Sequence, residues 1–275
     1  MHVNPTEFLS PAIALAVGIL PVLYFRWKGS FFGAAAMAYI FAIAAKAIVQ
    51  ASFPNFFQTP SLPTYLAYGL LTFVFEVGLA YLILLPFWKG ETAPTYHAGW
   101  TYGVYLAFYE NALLLGALPL LTLLVVSSPA VQLATNPYAV SFLPVALPYL
   151  GERTSSLIAH ATWGLVVYAA LWRRRPWLVL TALPMAMIDA IAAWWDFTHA
   201  VSYPLLVVIF LTYTVLTAIF ALIASGLWPQ ALAGLRRPAR SALTIPPAPP
   251  APPAPPLPPP LPPPPQPPPA PPLVA

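Results

Sequence analysis

Cysteine is absent from the 275 residues, which excludes a disulfide framework and any thiolate-ligated metal. Charge is scarce too: 11 Lys and Arg with 7 Asp and Glu make 7% of the chain, against roughly 25% in an average soluble domain. A soluble globule of this length could not cover its surface with so few. The chain also lacks a His-Glu-x-x-His zinc motif, a phosphate-cradling Gly-rich loop and a Gly-x-Ser-x-Gly elbow. Its four histidines, His2, His97, His160 and His199, cannot build a three-His metal site within a bilayer, so no metal and no cofactor is expected. The basic clusters are too small to suggest nucleic-acid binding. What is abundant is apolar: 60% hydrophobic and 14% aromatic residues, the composition of a protein whose first partner is the lipid bilayer.

Crossing the apolar core takes about 20 residues. Seven stretches qualify, at 9–25, 31–50, 64–86, 98–126, 154–172, 176–195 and 201–228. The expected fold class is therefore all-α: a polytopic bundle of about seven transmembrane helices. Met1 to Ser10 carries no Lys or Arg, unlike the basic flank of a cleaved signal peptide. Arg26 and Lys28 follow the first span, Lys89 the third, Arg173 to Arg175 the fifth, and Arg236, Arg237 and Arg240 the seventh. The alternate loops, 51–63, 127–137 and 196–200, hold no Lys or Arg. By the positive-inside rule the amino terminus lies outside the cell membrane and the carboxyl terminus in the cytoplasm. Tyr138 to Leu150 is apolar but short and is broken by Pro144 and Pro148. It reads as a re-entrant or short helix at the outer face, the alternative being an eighth short span.

After Leu235 the composition changes, and from Pro246 to Pro272 proline fills 20 of 27 positions. Such a run lacks backbone donors and builds no packed core. The expected organisation is thus a bundle over 1–230 and a disordered, Pro-rich cytoplasmic tail over 231–275. The tail either docks an aromatic-lined groove on a cytoplasmic partner or acts as a spacer.

Ionisable groups inside a membrane are costly and tend to mark function. Lys46, Glu76, Glu110, His160 and Asp189 fall within the predicted spans. Lys46 either pairs with Glu76 or snorkels to the interface. Gly103, Ala107 and Asn111 recur every four residues beside Glu110, a small-residue face suited to close helix contact. Glu152, Ser156 and His160 share one helical face with Arg153 close by, a polar stripe about 12 Å long. Each of these residues has a structural reading, as interhelical hydrogen bonding, and a functional one, as general base, proton carrier or oxyanion donor.

The order of these residues resembles the glutamic intramembrane proteases, the CAAX-protease and bacteriocin-processing group, and in particular its YhfC-like branch. The matching runs are Phe75-Glu76-Val77, Glu110 through Gly116, Gly151-Glu152-Arg153 leading to His160, and Met185 through Asp189. The second acidic residue of the first motif is Val77 here, and histidines of the pattern are replaced by Leu106 and Met185. The resemblance implies Glu110, His160 and Asp189 as catalytic residues. Glu110 would activate water, His160 would orient it or stabilise the oxyanion, and Asp189 would hold His160. Glu76, Asn111, Glu152, Arg153 and Ser156 would support them. It implies a membrane peptide as substrate, cleaved by an active member or bound by a degenerate one. A non-catalytic scaffold using the tail and a proton- or ion-coupled transporter are the alternatives from other classes.

Overall fold

The computed structural model describes residues 8–25, 29–88, 95–125 and 142–235, and every regular element among them is helical. In chain order the main helices are α1 (Leu9–Tyr24), α2 (Gly29–Ser52), α3 (Leu62–Trp88), α4 (Tyr96–Leu123), α5 (Phe142–Trp172), α6 (Pro176–Thr198) and α7 (Tyr203–Ala224). Backbone polar groups in lipid must be satisfied within the segment, which is why the apolar runs fold this way. The side chains of Ser61 and Thr95 cap the first turns of α3 and α4 by accepting from the backbone N–H of Thr64 and Ala98. Among the described residues, six helices are long and apolar enough to cross a membrane: α2, α3, α4, α6, α7 and the Ala146–Trp172 part of α5. The chain is an all-α, multi-pass membrane protein. α1 is apolar but has 16 residues, about 24 Å against a hydrocarbon core of roughly 30 Å.

α5 forms the axis of the bundle. Of its spanning part 78% is buried, against 22% to 39% for the other five spans. α4 lies against it through glycines. A Cβ on Gly103 would overlap the backbone of His160 and Ala161, and one on Gly164 would overlap Gly103. The expected small-residue face of α4 is therefore a real seam, and Gly99, packed on Leu165, extends it. On the other side of α5, Ser155 Oγ and Thr214 Oγ1 of α7 share a buried hydrogen bond of 2.6 Å. Arg173, at the end of α5, donates to the carbonyls of Ser225 and Gly226 just past α7 and to Tyr96 Oη at the start of α4. These three helix ends thus meet at one end of the bundle.

Two expectations need correction. Residues 142–150 are not a separate re-entrant helix or a span of their own. They are the first turns of α5, which runs unbroken for 31 residues. Pro144 falls in the first turn, where the backbone N–H has no helical partner to lose. Pro148 costs one interior bond and is carried by a helix held along α7, as where Gly151 meets Val207. Residues 138–141 lie outside the described residues. The packed region also passes residue 230. A short helix, Trp228–Gly234, receives Trp100 Nε1 on the Ala231 carbonyl at 2.9 Å and His97 Nδ1 on that of Gly234 at 3.1 Å. Residues 236–275, with the Pro-rich run, lie outside the described residues, as do Arg26, Lys28 and Lys89.

Candidate functional site

Five helices contribute acidic groups or their partners to one pocket of about 290 Å³, lined among others by Lys46 (α2), Glu76 (α3), Glu110 (α4), Arg153 and His160 (α5), and Asp189 (α6). Both glutamates stand where their helix loosens. Glu76 lies in a π-helical stretch, Thr72–Val77, and Glu110 in another, Tyr109–Ala117. Such stretches are rare and concentrate at functional sites. Each widens the turn on which its glutamate sits.

His160 stands between the two. Its Nδ1 is 2.9 Å from the backbone oxygen of Ser156. That oxygen can only accept, so Nδ1 carries the hydrogen. Nε2 faces Glu76 Oε2 at 3.4 Å and Glu110 Oε2 at 3.3 Å. The imidazole is buried, with its ring against Trp163 at 4.6 Å.

The other oxygen of each glutamate is held by a cation. Lys46 Nζ donates to Glu76 Oε1 at 2.6 Å, to Asp189 Oδ2 at 2.9 Å and to Thr72 Oγ1 at 2.8 Å, and the Thr72 hydroxyl in turn donates to Asp189. Arg153 Nη1 donates to Glu110 Oε1 at 3.2 Å and to Asn111 Oδ1 at 3.3 Å. Ser156 Oγ adds a bond to Glu110 Oε1 at 2.9 Å. Arg153 Nη2 pairs with Glu152, whose second oxygen accepts from the Tyr203 hydroxyl. Two ion-pair groups, one centred on Lys46 and one on Arg153, therefore meet at His160.

The structure brings together all the residues singled out in the sequence, with one change of role. Asp189 does not hold His160; its carboxylate bonds Lys46 and Thr72, while the Ser156 carbonyl orients the imidazole. Glu76, assigned only support, reaches His160 as closely as Glu110 does. Of the two readings of Lys46, pairing is the one observed. Its side chain is 13% exposed, and its ammonium is turned toward Glu76 and Asp189. Sequence reasoning missed Thr72 and Tyr203. Thr72 lies four residues before Glu76 and was open to detection by that spacing. Nothing in the sequence marks Tyr203 as the partner of Glu152.

A second polar pocket, of about 360 Å³, shares Lys46 and Asp189 with the first and continues to Gln50 and Asp196. Asp196, expected in a loop, is in the last turns of α6, and His199 follows with a left-handed backbone, φ 45°. An apolar pocket of about 510 Å³ adjoins on the α2–α4 side and shares Tyr39, Ile43 and Leu114 with the polar one. The site is thus bordered by a polar recess and by an oily one. No family model, no curated protein and no solved structure matches this chain.

Proposed function

We propose that this membrane protein is a hydrolase-like member of the glutamic intramembrane protease group, acting on or binding a membrane peptide. The observation that carries the reading is the convergence of Glu76, Glu110 and His160, from three helices, onto one buried point. Amide hydrolysis needs a base for water and a donor for the oxyanion. Glu110 has the geometry for the base, with one oxygen fixed by Arg153 and Ser156 and the other directed to the shared point. The Lys46 and Arg153 side chains add fixed positive charge on either side of it. An apolar peptide segment in the adjoining oily pocket would present its backbone to that point. In this reading α1 serves as a seventh span and the amino terminus lies outside.

The test is cleavage of a co-expressed membrane peptide. Glu110→Gln and His160→Ala are each expected to abolish it while the protein still accumulates in the membrane. Retained cleavage in either would refute the reading.

The Lys46 bridge between two polar pockets favours a second reading, proton- or ion-coupled transport, with Glu76 and Asp189 exchanging the lysine as partner. Uptake into vesicles that ignores an imposed proton gradient would dismiss it.

A further inference from the structure

We propose that Glu76, Glu110 and His160 form a binding site for a divalent metal ion of the zinc type. The site uses the same pocket but does not depend on the hydrolytic reading. The atoms concerned are Glu76 Oε2, Glu110 Oε2 and His160 Nε2, which lie within 4.8 Å of one another.

Each of these atoms is left over once its neighbours are accounted for. Lys46 takes Glu76 Oε1; Arg153 and Ser156 take Glu110 Oε1. Because the Ser156 carbonyl holds the Nδ1 hydrogen, a neutral His160 turns the lone pair of Nε2 toward two carboxylate oxygens. Nε2 makes no hydrogen bond among the described residues, although the side chain is 4% exposed. Three electron-pair donors pointed at each other in a buried pocket repel unless something positive lies between them. The distances from Nε2 to the two carboxylate oxygens are 3.3 and 3.4 Å, and neither contact has the geometry of a hydrogen bond.

A metal fits the spacing. Zinc bonds its nitrogen and oxygen ligands at about 2.0–2.2 Å, and tetrahedral geometry then separates neighbouring ligand atoms by about 3.4 Å. The two Nε2-to-carboxylate distances match that edge. Formal charge agrees as well: the carboxylates of Glu76, Glu110, Glu152 and Asp189 face only Lys46 and Arg153, which leaves −2 with His160 neutral. One divalent ion brings the group to neutrality. An imidazole with two carboxylates suits zinc, whereas calcium and magnesium call for six or more oxygen ligands. A hydrogen bond from the far ring nitrogen to a backbone carbonyl, as His160 makes to Ser156, is the usual outer-shell support of a metal-binding histidine. A fourth ligand position would open on the pocket, where water can bind.

The experiment uses the full chain in detergent, purified without a histidine tag. Zn²⁺ is titrated against a chromophoric chelator, and Co²⁺ serves as a spectroscopic probe. Stoichiometric binding and the visible bands of tetrahedral Co²⁺ are expected. Losing an outer-shell partner typically costs about 10–100-fold in affinity, so Glu76→Gln, Glu110→Gln and His160→Ala are each expected to cost more. His199→Ala, at the end of α6, is expected to change nothing. His160→Cys guards against a misfolded alanine variant: it should keep the metal and add a thiolate-to-Co²⁺ charge-transfer band. Failure to bind Zn²⁺ or Co²⁺ stoichiometrically, or binding indifferent to the three ligand changes, would overturn the proposal. Cleavage by protein that takes up neither Zn²⁺ nor Co²⁺ when they are supplied would overturn it while leaving the hydrolytic reading standing. Metal bound at this site without cleavage would support it and sink the hydrolytic reading.

Discussion

Replacing Lys46 with methionine tests whether the buried ion pairs hold the bundle together. The substitution keeps the length of the side chain and removes its charge and three donors. At an effective dielectric constant of about 20, a unit charge pair at the observed 2.6 and 2.9 Å attracts by about 6 kcal/mol each. Most of that is offset by the several kcal/mol that burying each ion costs. The Asp189 contribution is the smaller, since that side chain is 36% exposed and water screens it. Removing one partner of a buried pair leaves the other charge uncompensated and typically costs about 3–5 kcal/mol. Lys46→Met is therefore expected to lower the stability by about that amount, read as the midpoint of thermal unfolding in detergent. The triple change Lys46→Met, Glu76→Gln and Asp189→Asn removes the stranded charges and is expected to recover much of the loss. A snorkelling lysine predicts almost no effect. A cost for Lys46→Met below about 1 kcal/mol, the ceiling for exposed pairs, would refute the reasoning.

Other substitutions probe the frame around the site. Gly103→Leu forces a side chain into the backbone of α5 at His160 and Ala161, and overpacking of about 1–3 kcal/mol or more should appear as a lower melting temperature. Tyr203→Phe removes the hydroxyl that donates to Glu152; a charged hydrogen bond is worth about 1.5–3 kcal/mol, and the same assay should register a loss within that range. Because the chain contains no cysteine, Ala192→Cys provides a single reporter at the wall common to both polar pockets. A membrane-impermeant thiol reagent should label it, whereas Leu216→Cys, exposed on the outer face of α7 toward lipid, should stay unmodified.

Hydropathy placed the helices well because a bilayer fixes their length. The predicted 31–50, 64–86 and 176–195 fall inside Gly29–Ser52, Leu62–Trp88 and Pro176–Thr198. It erred at residues 142–150, where two prolines suggested a break. Early proline costs a helix little, and packing on α7 carries the remainder. The members of the site were also visible, since an ionisable group in an apolar run stands out. Their pairing was visible only in part. The bond of Lys46 to Glu76 across 30 residues was one of two readings, but its bond to Asp189 across 143 was not foreseen, because periodicity within one helix says nothing about which helices become neighbours. The two π-helical stretches added a second obstacle, because a face computed at 3.6 residues per turn is wrong once the turn widens. Glu152, Ser156 and His160 lie on a regular stretch of α5, and there the polar stripe read from spacing is the one observed.

The central claim is that Glu76, Glu110 and His160 act as one unit. A double-mutant cycle on thermal stability, combining Glu76→Gln with His160→Gln, measures it most directly. Groups in contact typically couple by about 0.5–3 kcal/mol, and a value in that range is expected here. Effects that add to within about 0.3 kcal/mol, as for independent sites, would contradict a shared site.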